Sequence, residues 1–156
     1  MGAVRPYVKR PTWFVRNVAN RLVTGLHKLG FGVAGSRQLT VRGRRSGEAR
    51  RAPVNLLTVD GRHYLVAPRG HVQWTHNLRA AGEGQLGLGR RVSPFTAEEV
   101  PDERRPELLR AYLKRWGAQV GVFFQGVDAK SSDAELLAVA ADHPVFELRF
   151  SAGTRP

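Results

Sequence analysis

Arg44, Arg45, Ser46, Arg50 and Arg51 place five side-chain donors on a short segment punctuated by Gly43 and Gly47. Glycines let the backbone turn tightly there and leave amide N–H groups pointing outward. A nest of N–H donors ringed by guanidinium groups can hold a phosphodiester, because charge-assisted bonds to phosphate are strong and the planar guanidinium matches its geometry. The plainer reading is a solvated hairpin tip rich in charge, since short motifs match by chance.

Other signals lead to less. Gly82-Glu83-Gly84-Gln85-Leu86-Gly87 spells G-x-G-x-x-G, but it follows a helical stretch and enters a strand-like one, the reverse of the dinucleotide-binding context. His71 and His76 have no carboxylate neighbour in sequence, and an i, i+5 spacing does not align them on one helix face, so no metal is expected. Ser46 lacks the G-x-S-x-G elbow of a hydrolase. Cysteine is absent, which removes disulfides, thiolate nucleophiles and cysteine-ligated metals.

The formal charge is +12, and twelve Lys/Arg against the single acid Glu48 fall within residues 1–51. Basicity is therefore concentrated in one segment and implies an anionic partner: a phosphate-bearing cofactor, a nucleic acid or an acidic membrane surface. Arginine outnumbers lysine heavily, as bidentate anion recognition would favour and as a GC-rich coding sequence would also produce. Only Tyr7, Trp13, Phe14 and Phe31 interleave with those cations, and no nucleic-acid motif is present, so nucleic acid is not the expected partner.

The elements that must position these groups follow from periodicity. Phe14, Val18, Leu22, Leu26 and Leu29 recur mainly every four residues after Pro11, describing a basic amphipathic helix closed by Gly30, with a connector to residue 34. From Gln38 the period becomes strand-like: residues 39–41, a turn at 43–47, and a return through Ala49 to Val59. Asp60-Gly61 is a hairpin signal before residues 63–67. A short helix is expected over 72–81, strands over 85–88 and 92–100, a helix from Pro101 through Trp116, a helix capped by Ser132 reaching about Ala141, and a last strand over 145–150. Residues 117–126 are ambiguous. Trp116 and the Phe123-Phe124 pair read first as core, and Trp74 by itself reads as a core anchor. About six strands with interspersed short helices describe a mainly β, α+β small barrel. Residues 1–34 would form the basic helix and connector, and 35–156 the barrel domain.

Along residues 39–144 the sequence resembles the deazaflavin (coenzyme F-420)-dependent nitroreductase family. Its opening pattern of glycine, two cations, Ser/Thr, glycine and, three residues on, arginine is met by Gly43-Arg44-Arg45-Ser46-Gly47-Glu48-Ala49-Arg50, with Pro53 where the family places a proline. A second block is Ala67-Pro68-Arg69-Gly70, with proline in place of the usual serine, and a third is Trp74-Thr75-His76-Asn77-Leu78. The resemblance implies a split β-barrel, FMN-binding-like, with an N-terminal amphipathic helix. It implies that Arg44, Arg45, Ser46, Gly47, Arg50, Pro53, Ala67, Pro68, Arg69 and Gly70 hold the phosphate and polyglutamate side of the cofactor. Trp74 and Asn77 would lie against its ring. The interval from Gly70 to Trp74 is shorter than in the best-known branch, and the C-terminal, substrate-facing portion matches that branch poorly.

The expected activity is hydride transfer from reduced F-420, with FMN a weaker candidate, to a planar electron-poor acceptor such as a quinone, enone or nitroaromatic. Because the cofactor supplies the hydride, the protein needs to bind, orient and exclude water, and no catalytic side chain is required. The alternative is a deazaflavin or FMN carrier without turnover. A monomer or homodimer is expected. With no run of 18 apolar residues, a cytoplasmic location follows, with peripheral membrane contact through residues 9–28 open.

Overall fold

The structure, a computed structural model, describes residues 35–156. The expected helix over residues 1–34, and with it the membrane contact through residues 9–28, lies outside the described residues. Six strands appear: β1 (Ser36–Arg42), β2 (Ala49–Val59), β3 (Arg62–Val66), β4 (Glu83–Leu88), β5 (Arg91–Glu99) and β6 (Val145–Phe150). They close in the order β1-β2-β3-β6-β5-β4, with every pairing antiparallel. Closure removes the exposed edges that an open sheet would leave. The mainly β barrel expected from the sequence is what the chain forms.

Strand alternation sorts the side chains. Leu39, Val41, Leu56, Leu65, Leu86 and Phe95 fill the barrel interior, as period-2 patterning requires. The second half of β2 is apolar on both faces, because Leu56 joins the interior while Leu57 joins an outer layer. That outer layer is built on helix α2 (Arg105–Val120) and helix α3 (Asp133–Ala140). It contains Leu109, Tyr112, Trp116 and Leu136. Helix α1 (Gln73–Ala81) inserts Leu78, fully buried, into the interior cluster.

The turn chemistry is local. Asp60 and Gly61 have φ of 51° and 75°, the pair of positive values a two-residue hairpin turn needs. Ser132 and Glu135 form a reciprocal capping box at α3. Gly84 lies where a Cβ would sit 2.8 Å from the Phe95 ring and 3.0 Å from the Thr40 carbonyl oxygen. The G-x-G-x-x-G run thus spans the end of α1 and strand β4, and its central glycine lets Phe95 cross the barrel.

Three expectations shift. The helix expected from Pro101 begins as a single 3-10 turn, Asp102–Arg104, before α2 proper. There the Arg105 guanidinium turns inward to donate to the carbonyl oxygens of Val100 (2.8 Å) and Ala140 (2.7 Å). The ambiguous stretch continues α2 to Val120 and closes with a 3-10 turn, Gly121–Phe123. Of the aromatic pair expected in the core, Phe124 is buried but Phe123 is not, because that turn carries it outward. Phe124 stacks on His143 at 4.1 Å, whereas the Phe123 ring lies 4.9 Å beneath the Arg69 guanidinium.

Candidate functional site

The loop between β1 and β2 is a tight, internally bonded hairpin. The Gly43 amide donates to the Glu48 carbonyl at 2.7 Å, and the Gly47 amide donates to the Gly43 carbonyl at 2.9 Å. Gly47 has φ of 72°, in the left-handed region that favours glycine, and a Cβ on Gly43 would meet Ser46 Oγ at 2.8 Å. Ser46 Oγ accepts from the Glu48 amide (3.2 Å) and from Arg50 Nη2 (3.3 Å). The hairpin therefore presents Arg50 from the first residues of β2.

A cavity of about 1340 Å³ opens between this hairpin, the start of β2, the segment after β3 and helix α1. Ser46, Gly47, Arg50, Pro53, Ala67, Pro68, Arg69, Trp74 and Asn77 line it, so residues from all three sequence blocks meet at one place. Arg44, Arg45 and Gly70 are not among its lining. Six residues beyond the expected set join it: Glu48, Ala49, Arg51, Ala52, Val72 and Gln73. Gln73 and Val72 carry no chemical signal in the sequence; they line the wall because α1 begins beside them.

Arg50, Arg51 and Arg69 are cationic members of the lining, and Trp74, Val72, Pro53 and Pro68 apolar ones. Trp74 is half-buried and packs on Phe146 at 6.0 Å between ring centroids. It is at once a core anchor and a cavity wall. Arg69 is held from behind by the Phe123 ring, a cation–π contact. The Ala67 carbonyl, at the root of the second block, accepts from buried His143 Nδ1 at 3.2 Å. Burial is the main influence on that imidazole and lowers its pKa below the ordinary histidine value.

Helix α1 has no side-chain cap at its start, and it is fixed from outside. Arg44 donates from Nη1 to Gln73 Oε1 and to Asn77 Oδ1, both at 2.9 Å, and from its backbone amide to Asn77 Oδ1 at 3.1 Å. At the far end, Arg79 makes a two-pronged contact with Glu99, at 2.7 and 2.8 Å. That hydrogen bond holds the Glu99 carboxyl below the usual carboxylate range. Glu99 also receives Arg105 Nη2 at 3.3 Å.

The His71 and His76 rings lie 6.2 Å apart, His71 Nε2 donates to the Ala141 carbonyl at 2.7 Å, and among the described residues no group of three metal-ligating side chains converges. No described helix is long and apolar enough to cross a membrane.

The donor set fits a deazaflavin with an anionic tail. Guanidinium groups and a hydroxyl suit phosphate and carboxylates, while the tryptophan and prolines suit a planar ring. The volume exceeds the roughly 300–1,000 Å³ of an ordinary small-molecule pocket, in keeping with a long cofactor.

Comparisons with known proteins agree with this geometry. The chain is similar in fold to an F420-H2 dependent reductase (FDR-A), with TM-score 0.51 and 21% identity over 74% of this chain and 95% of that one. It is also similar to a protein described as a domain-swapped dimer, with TM-score 0.52 and 21% identity over 90% and 100%. General Stress Protein 26 from Bacillus anthracis shares the fold at 10% identity and TM-score 0.50, over 83% and 86%. No curated protein matches the chain. The family model for F420H(2)-dependent quinone reductase matches residues 9–130. That match spans most of the chain, so the chain belongs to this family and is a split-barrel oxidoreductase that uses coenzyme F-420.

Proposed function

We propose that the chain transfers a hydride from reduced F-420 to a planar, electron-poor acceptor, a quinone first and an enone or nitroaromatic next. The observation that carries this reading is a cavity whose lining combines the cations Arg50, Arg51 and Arg69 with the aromatic Trp74. When bound, the cofactor supplies the hydride from its own ring. Arg50, Arg69 and Ser46 hold its phosphate and glutamates, Trp74 lies against the ring, and Asn77 offers its amide. The apolar residues around Trp74 exclude water, which strengthens the polar contacts that fix the two reactants.

Steady-state oxidation of reduced F-420 by menadione, followed at the cofactor's absorbance, tests the activity. Turnover is expected; tight binding without turnover on any quinone, enone or nitro compound would leave the carrier reading instead. The small-molecule acceptor is the expected partner, and the chain's state as monomer or homodimer is read by sedimentation. Peripheral membrane contact through residues 9–28 is read by liposome flotation with and without residues 1–30.

A further inference from the structure

We infer that Arg44 is a positioning residue, which locks helix α1 against the anion-binding hairpin so that Trp74 and Asn77 face the ring, and does not itself hold the cofactor's anionic groups. The inference rests on the reading of the cavity as the deazaflavin site.

By type and spacing Arg44 is an anion binder like its neighbours, yet its Nη1 and its backbone amide are committed to helix α1. One terminal nitrogen serves two amide oxygens at 2.9 Å, Gln73 Oε1 and Asn77 Oδ1, and the backbone amide adds a third bond at 3.1 Å. Gln73 and Asn77 are one helical turn apart and share a face, so a single cation grips the first two turns of α1. Trp74 lies between them in sequence, and Gln73, Trp74 and Asn77 all line the cavity while Arg44 does not.

The helix needs such a grip. Its start has no side-chain cap, and an isolated helix of nine residues is too short to hold its own shape in water. Asn77 is buried, with its Oδ1 accepting two bonds from Arg44. An amide oxygen has two lone pairs; with both in use, what Asn77 offers a ligand is the Nδ2–H pair. Arg44 thus fixes which end of that amide faces the cavity. It also joins the first sequence block to the third, so anion-binding hairpin and ring-side helix move as one body.

The prediction separates direct from indirect contact. Two ligands are titrated by fluorescence: F-420, and the deazaflavin cut back to its ring and ribityl chain, without phosphate or glutamates. Arg44→Ala is expected to weaken both by a similar factor, roughly ten- to a hundredfold if the loss is that of a hydrogen bond to a charged group. Arg44→Lys should not rescue either ligand, because the shorter lysine stem does not carry its ammonium to the position of Nη1 between the two amide oxygens. In Asn77→Ala, adding Arg44→Ala should cost less than it does alone. Melting curves of the ligand-free variants establish that each is folded, with Arg44→Lys carrying the comparison if Arg44→Ala is not. Loss of F-420 affinity alone, with the truncated deazaflavin unaffected or with rescue by lysine, would place Arg44 on the phosphate and overturn the inference. Failure of the unaltered protein to bind either ligand would instead overturn the cavity assignment and the inference with it.

Discussion

Replacing Arg105 with methionine tests how the barrel and its helical layer are joined. Arg105 is 5% exposed and sits where α2, α3 and β5 meet. Its Nε donates to Val100 O at 2.8 Å, its Nη1 to Ala140 O at 2.7 Å, and its Nη2 to Glu99 at 3.3 Å, with Asp102 at 3.2 Å from Nη1. Methionine fills much of the volume but leaves the Val100 carbonyl oxygen without its donor, at about 1–3 kcal/mol when buried, and takes one of two donors from Ala140 O, which keeps the His143 amide at 3.2 Å. It also removes a partner from Glu99, although Arg79 still neutralises that carboxylate. Because these terms share one side chain they do not add fully, and with Glu99 still neutralised a net loss of about 2–4 kcal/mol is expected, the scale of one orphaned carbonyl plus a lost hydrogen bond from a charged donor. At about 2–4 °C per kcal/mol for a chain of this size, the melting temperature should fall by roughly 4–16 °C. Scanning calorimetry reads the fall, and Arg105→Lys should lie between the two because one ammonium cannot reach all the acceptors. Since Arg105 does not line the cavity, F-420 affinity of the folded variant should be preserved. A fall of less than about 2 °C on the same scale would refute the assignment of Arg105 as the link between layers.

Other outcomes follow from the same geometry. Arg50→Ala combined with Arg69→Ala should weaken F-420 by about a hundredfold or more, at roughly 1.5–3 kcal/mol per charge-assisted contact, and an unchanged dissociation constant by fluorescence would place the anionic tail elsewhere. Glu48 lines the cavity as an exposed carboxylate beside Arg50, at 3.9 Å. Glu48→Gln should therefore tighten F-420 by up to about fivefold, the scale of an exposed charge interaction, and weaker binding would contradict this. His143 has a folded pKa lowered chiefly by burial, with the Ala67 hydrogen bond and Asp142 raising it and His71 lowering it. The unfolded chain therefore takes up the proton first, so this contribution to stability is intact above about pH 6.5 and is lost as pH falls through the folded value. His143→Gln should show a smaller drop in melting temperature between pH 7.5 and 5 than the unaltered protein, and an equal drop would remove His143 from the account.

What was legible in the sequence was local. The Asp60-Gly61 turn, the Ser132 cap and the strands over residues 39–41, 49–59 and 63–67 each depend on neighbours a few residues away, and each is where the sequence places it. The three blocks were visible as patterns, and the fold brings residues of all three onto one cavity. What could not be read was side-chain commitment across long separations. Arg44 matches an anion binder by type, yet its partners lie 29 and 33 residues away on α1. Arg105 looks like any exposed helix-start arginine, yet Ala140, 35 residues on, accepts its donor and draws it inward. Phe123 and Phe124 are identical side chains, and only the 3-10 turn that ends at Phe123 sends one outward and one into the core.

The central claim is that the cavity between the first hairpin and α1 takes a deazaflavin, and one titration tests it most directly. The full chain is titrated with F-420 and, separately, with FMN, following fluorescence to saturation at fixed ionic strength. Saturable, stoichiometric binding of F-420 at micromolar or lower concentration is expected, with FMN weaker because it lacks the glutamate carboxylates that Arg50 and Arg69 would meet. Tighter binding of FMN than of F-420 would contradict it.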